Sequence, residues 1–173
     1  MSADFESMYA KTHGDVLRYC LRRTSPDEAV DAVSEVFSIA WRRRDVIPPH
    51  PLPWLYGVAR TVLGNQRRSS RRRATLRAKA TGAGIRPESP EISVLRDAEH
   101  QQVIEAVGRL SGRDAELIRL AAWEGLTREQ MAVALRISPN AVTQRLSRAL
   151  DRLARELGVA RSSGSRFFER RSA

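Results

Sequence analysis

Cysteine is almost missing from this chain, with Cys20 the single one in 173 residues. An intrachain disulfide and a cysteine-based zinc site are therefore excluded. Leu17 and Leu21 stand beside Cys20 in the apolar pattern, so a buried core thiol is expected. Aromatic residues are scarce at 6%, and β-branched runs are few, which gives strands little support. No apolar run approaches the ~18 residues of a membrane span. The first residues show no basic stretch followed by an apolar one, so no secretory leader is expected and a cytoplasmic location is. His13, His50 and His100 are too scattered for a metal site or a catalytic dyad. The acidic residues pair with arginines at helical spacing and do not converge. No glycine-rich phosphate loop, strand pair or internal repeat is visible. Neither a cofactor, a metal nor a catalytic centre is expected, and an enzyme is the least favoured class.

Arginine is abundant instead. The 30 basic residues outnumber the 20 acidic ones, for a formal net charge of +10, and only Lys11 and Lys79 are lysines. Arginine forks suit phosphates and guanine edges. A balance of this size points to a polyanionic partner, with nucleic acid first and an anionic membrane surface second. A solvated arginine-rich surface would have the same composition. Leu, Ala, Arg and Glu dominate the remainder and favour helices.

The expected fold is all-α, in two small helical domains joined by a flexible linker. The first domain spans 4–73. The linker spans 74–93, where hydrophobic residues thin out and Gly82, Gly84, Pro87 and Pro90 gather. The second domain spans 94–158, and a basic tail, 159–173, is expected to be disordered. In the first domain, Phe5 to Leu21 carries apolar residues at helical spacing, with a bend or restart expected at His13-Gly14. Ser25-Pro26 reads as a cap with proline in the first turn, and Asp27 and Glu28 suit that end of the helix dipole. Val30, Val33, Phe37, Ala40 and Trp41 form the apolar face of that helix. The four prolines between Val46 and Pro53 imply a loop, and a helix starting near Trp54 runs into an arginine-rich face. In the second domain, a helix over about Val94–Leu110 is followed by one capped by Ser111, with Asp114 at the capping-box position. Leu117, Ile118, Ala121 and Ala122 form the buried stripe of that helix, and Gly125 is its stop.

Thr127 to Leu146 fits a helix-turn-helix. Thr127 and Gln130 make a capping box, and Met131, Ala134 and Leu135 face inward. Ser138-Pro139 opens a second helix whose apolar positions are Val142, Leu146, Ala149, Leu150 and Leu153. Its first turns are polar, as a helix entering the major groove end-on requires. Ser138, Asn140, Thr143, Gln144, Arg145 and Arg148 are the candidate readers. Asn and Gln can pair with adenine, and Arg with guanine or phosphate. Many such turns carry glycine where Arg136 stands, and the departure costs about 1 kcal/mol if the backbone there is left-handed. A helix-turn-helix by itself implies DNA binding only; a helical hairpin in an ordinary bundle has a similar outline.

The two halves together resemble the ECF subfamily of the sigma-70 family of RNA polymerase sigma factors. Asp31-Ala32-Val33-Ser34-Glu35-Val36-Phe37, followed by Ala40-Trp41-Arg42, is similar to the helix by which that family binds polymerase core. Trp54-Leu55-Tyr56, then Ala59-Arg60 and a basic helix, resembles its promoter-melting segment. Leu110-Ser111 with Arg113, and the helix-turn-helix, resemble its reader of the upstream element. The chain departs from the family at Ser34, Thr61 and Asn65, where glutamine, asparagine and aspartate are usual, and in its proline-heavy loop. The resemblance implies core binding through Asp31, Glu35, Val36, Phe37, Trp41 and Arg42, with the polymerase β′ clamp as partner. It implies reading and melting of the −10 element through Trp54, Arg60, Thr61, Asn65, Arg67 and Arg68, and reading of the −35 element by the helix-turn-helix. Promoter DNA and an anti-sigma factor are the other implied partners, and membrane insertion is not implied.

The residues have physical readings of their own. Asp27, Asp31 and Glu35 lie four apart and make an acidic ridge, which either meets a partner or complements the helix dipole in solvent. Trp41 is as consistent with a core position as with an interface. Trp54 could stack on an unpaired base or anchor the helix start. Between Arg60 and Arg86 there are nine basic residues and no acidic one, with Arg67, Arg68, Arg71, Arg72 and Arg73 concentrated near a helix end. As a bare patch they would repel one another; on DNA they could neutralise phosphates. A repressor or activator with the same helix-turn-helix is the alternative, followed by a structural adaptor.

Overall fold

A computed structural model describes residues 3–81 and 98–158. All its regular elements are helical: α1 (Ala3–Leu21), α2 (Pro26–Arg42), a short 3-10 turn (Arg44–Val46), α3 (Pro51–Thr81), α4 (Ala98–Arg109), α5 (Gly112–Ala122), α6 (Arg128–Leu135) and α7 (Pro139–Glu156). The chain divides into two compact units, Met1–Ser93 with Val133–Arg136, and Val94–Ala132 with Ile137–Ala173.

In the first unit α1, α2 and α3 each pack on the other two. Val16, Tyr19 and Cys20 of α1 meet the apolar sides of α2 (Ala29, Ala32, Val33, Val36, Phe37, Ala40) and α3 (Leu55, Val58, Ala59, Val62) in the core. Burial of Cys20 agrees with its apolar setting. No restart falls at His13-Gly14, and α1 runs unbroken. His13 stacks against Phe37, with ring centres 5.9 Å apart, and lies 5.0 Å from Tyr9, so packing supports the helix where glycine weakens it. Ser25 caps α2 by accepting the Glu28 N–H, with Pro26 in the first turn. Val30, expected on the apolar face, is instead 58% exposed, because it lies on the rim of the stripe that α1 and α3 cover.

The proline loop is shorter than expected. Pro51 and Pro53 lie inside the first turn of α3, where the N–H groups have no intrahelical acceptor and proline loses nothing. α3 then runs for 31 residues, about 46 Å at the usual helical rise. Its last turns, from Ala74 to Thr81, take up the start of the expected linker, since Ala and Leu recur there and favour helix. The remainder of that linker lies outside the described residues, as do 94–97 of the helix expected before Leu110 and the tail after Gly158.

In the second unit α4 and α5 pack on α7 and on each other. Ser111 caps α5 by accepting the Asp114 N–H at 3.2 Å. The Asp114 carboxylate does not complete a capping box; it accepts a charged hydrogen bond from Arg152 of α7. A second ion pair, Arg109 to Glu156 at 3.0 Å, joins α4 to α7. α5 buries Leu117, Ile118, Leu120 and Ala121, whereas Ala122, expected inside, is exposed at the helix end. Gly125 takes φ +64° just beyond, in keeping with its stop role. Thr127 and Gln130 cap α6 reciprocally, each backbone N–H donating to the other side chain, at 2.9 and 3.3 Å. Met131 and Ala132 are buried; in the last turn of α6, grouped with the first unit, Ala134 is buried and Leu135 half-buried.

Candidate nucleic-acid interface

α7 displays a polar face because its start and its back are both fixed. Ser138 Oγ accepts the Ala141 N–H at 3.2 Å and Pro139 opens the first turn. The cap uses that oxygen as an acceptor and sets where the helix begins, and the O–H remains able to donate. Val142, Leu146 and Ala149 are buried behind, and Asn140, Thr143, Gln144, Arg145 and Arg148 are all exposed in front. Asn140, Gln144 and Arg148 follow at intervals of four and make one stripe. Thr143 and Arg145 flank it, the Thr143 hydroxyl donating to the Pro139 carbonyl at 3.1 Å. Partial positive charge at the helix start adds to the two arginines. Glu129 is the single acidic residue between Thr127 and Leu150. Its own backbone N–H and the Thr127 hydroxyl hold its carboxyl below the usual carboxylate range. Such a face can offer amide groups to base edges and guanidinium groups to guanine or phosphate.

α3 presents a second basic face, more locally engaged than its sequence suggests. Trp54, in the first turn, is half-buried, while Arg60, Thr61, Asn65, Arg67 and Arg68 are exposed. The Thr61 hydroxyl donates to the Gly57 carbonyl at 3.0 Å. Asn65 Oδ1 accepts from Arg68. Arg67 donates to the Arg23 carbonyl at 2.7 Å, which pins its guanidinium to the end of α1. Arg71, Arg72 and Arg73 continue the basic face one turn on, all exposed.

Arg23 is a residue the sequence does not single out. It is buried, with 4% exposure. Its guanidinium lies 3.5 Å from the Tyr19 ring centre and donates to the Tyr19 carbonyl at 2.9 Å. Tyr19 in turn stacks on Tyr56 of α3 at 4.8 Å. The sequence pattern holds no signal for this arrangement, since a charged residue just past a helix end ordinarily faces solvent. Nor does the sequence single out Trp123, which closes α5 with Arg119 5.6 Å from its ring.

On α2 the structure divides the residues expected to bind a partner. Asp31, Glu35 and Arg42 are exposed, in line with Asp27. Val36 and Phe37 are in the core, at 0% and 6% exposure. Phe37 packs edge-on to Tyr9 at 4.6 Å. Both hold α2 against α1, and the acidic ridge looks outward as a result. Trp41 is half-buried, with its ring edge-on to Phe5 at 5.0 Å and Arg44 5.0 Å above it. Among the described residues, no group of His, Cys, Asp or Glu could hold a metal ion, and no helix is long and apolar enough to cross a membrane.

The family model described as Sigma-70, region 4 matches residues 100–153, which span most of α4 through α7. Over its length the chain is similar to the ECF RNA polymerase sigma factor SigL of Mycobacterium tuberculosis. The two are 32% identical over 157 residues, covering 86% of this chain and 88% of that protein. Similarity to the RNA polymerase sigma-E factor of Streptomyces coelicolor is 31% identity over 170 residues, covering 96% and 93%. In fold the chain is similar to the sigma factor RpoE of Bartonella quintana, solved in complex with the anti-sigma factor NepR. That match has a TM-score of 0.68 at 23% identity and covers 91% of this chain and 99% of the other.

Proposed function

The chain belongs to the ECF family of RNA polymerase sigma factors, and from that membership we propose that its two helical units divide promoter recognition between them. The second unit, 94–158, reads the upstream element as duplex. Asn140 and Gln144 address base edges, and Arg145 and Arg148 address guanine or phosphate. Thr143 lines the same groove, and Ser138 fixes the helix that carries them all. The first unit, 4–73, docks on the β′ clamp of polymerase core through Asp31, Glu35, Trp41 and Arg42. In this unit α3 reads and melts the downstream element with Trp54, Arg60, Thr61, Asn65, Arg67 and Arg68. The loop from Val46 to Trp54 receives a base flipped from the melting strand. Flipping costs a few kcal/mol, offset by contacts of the loop with the flipped base and by core binding, so binding energy drives melting and no nucleotide hydrolysis is involved. The protein acts as a DNA-binding subunit in the cytoplasm, without enzymatic chemistry of its own. An anti-sigma factor is its regulator, in keeping with the similar fold of RpoE, which was solved with one.

One observation carries this reading. The stripe Asn140, Gln144 and Arg148 stands exposed on a helix capped at Ser138 and buried at Val142, Leu146 and Ala149. Its test is run-off transcription by purified core polymerase over a promoter library, with and without the protein. Promoter-dependent transcripts should require the protein. Their complete absence, with core that is active on a control sigma factor, would overturn the reading.

A further inference from the structure

Arg136 lies in the turn between α6 and α7 at φ +54°, the left-handed region that favours glycine, and it is the only non-glycine residue there among the described residues. The turn imposes this conformation. The Arg136 N–H donates to the Val133 carbonyl at 3.3 Å and the Ile137 N–H to the Ala132 carbonyl at 3.1 Å. This pair of bonds ends a helix through one left-handed residue. Glycine adopts that backbone without penalty, and arginine does not. Nor does the side chain recover the strain inside the protein. It is exposed and makes no hydrogen bond or ion pair with any described residue. Uncompensated strain of this kind concentrates where a residue serves function.

The position suits one ligand chemistry. Arg136 stands two residues before the Ser138 cap, next to the end of α7 that carries Asn140 and Gln144. When a recognition helix enters the major groove by its N-terminus, the residues just ahead of it lie at the groove's lip, beside the sugar–phosphate backbone. Four arginines and one acidic residue occupy Thr127 to Leu150, so little competes for the guanidinium. We propose that Arg136 is a phosphate-binding residue, gripping the backbone of duplex DNA beside the stripe that reads bases. The proposal rests on α7 being the duplex reader. A guanidinium fork matches two phosphate oxygens, and such a contact fixes register without reading sequence.

Three variants separate charge from strain. Arg136→Gln keeps the strained backbone and removes the charge, Arg136→Lys keeps both, and Arg136→Gly removes both. The probe is a duplex fragment selected from a random pool by holoenzyme reconstituted from the full chain and core polymerase. Binding is followed as salt is varied. Arg136→Gln and Arg136→Gly should each weaken binding about 3- to 10-fold and flatten the log–log salt slope by about 0.9. Arg136→Lys should keep the slope, and all three should select the same sequence. In the full chain, the transition of the unit that holds the α6–α7 turn should also shift about 4–8 °C higher with Arg136→Gly. A wild-type slope in Arg136→Gln overturns the proposal. Gln144→Ala serves as the control: if it shifts the selected sequence while Arg136→Gln changes nothing, α7 remains the reader and only the phosphate contact is lost. If neither variant changes binding, or the pool yields no selected fragment, both readings fall together.

Discussion

α3 and α7 both turn arginines toward solvent, but they are built on opposite plans. α3 starts with prolines and runs on for 31 residues. In its second half it carries Arg67, Arg68, Arg71, Arg72 and Arg73, with no carboxylate among them. α7 starts on a serine cap and is 18 residues long; its arginines toward the C-terminal end are partly spoken for, Arg152 by Asp114 and Arg155 by the Asp151 carbonyl. Amide side chains lead its exposed stripe. Arg67, Arg68 and Arg73 also make local hydrogen bonds, but a dense run of charge with no carboxylate in it attracts phosphates wherever they are. A sparse stripe of amides and arginines on a helix of fixed orientation can tell one base pair from another. The run Arg71 to Arg73 of α3 is therefore suited to affinity, and the stripe on α7 to discrimination.

That contrast can be broken in several places. The largest expected effect is on the frame. Leu55 is fully buried in the first unit, and Leu55→Ala should cost about 3 kcal/mol, seen by hydrogen exchange as lost protection in α1 to α3. Equal loss throughout α5 and α7 would mean that the chain folds as one body and the division into two units is wrong. Next comes charge. Replacing Arg71, Arg72 and Arg73 together with Gln should flatten the salt slope of holoenzyme binding to a promoter fragment by up to about 2.7. The selected sequence should stay the same; a changed preference would make α3 a reader of bases there. Smaller again, Gln144→Ala should cost about 1–2 kcal/mol of discrimination at one base pair, measured by competition between fragments that differ at that pair. A uniform loss on all sequences would instead assign Gln144 to the backbone.

The smallest effect is electrostatic and local to α6. The Glu129 carboxyl is held below its ordinary range by its own backbone N–H first and by the Thr127 hydroxyl second. A group whose pKa is depressed on folding adds stability above its unfolded value and loses it as pH falls through the folded value. Protection of the α6 amides should therefore weaken only in acid, below the ordinary carboxylate range, and Glu129→Gln should abolish that dependence. Glu129 is fully exposed, so the change will be slight. Its appearance near neutral pH would point to a different group.

Legibility followed locality. Ser25, Ser111, Thr127 with Gln130, and Ser138 were readable as helix starts, and the stripe on α7 was readable with them. The half-buried setting of Trp41 against Phe5 matched one of its two sequence readings. The burial of Val36 and Phe37 is not legible in the motif that holds them, because a motif match does not separate exposed residues from those that support the helix. Val30 and Ala122 were misplaced in the core, since helical spacing cannot tell the rim of an apolar stripe from its centre. The left-handed turn at Arg136 was foreseen as a condition on the backbone and is met at φ +54°.

From the sequence alone came the all-helical class, the helix starts and the set of polar side chains on α7, because capping and helical periodicity are settled within about four residues along the chain. Only the tertiary structure decided that Arg23 is buried and pins Arg67, 44 residues away, and that Asp114 serves Arg152, 38 residues away. Those bonds depend on which helix faces cover one another, and that follows from how all the apolar stripes are buried together, which no local stretch of sequence specifies.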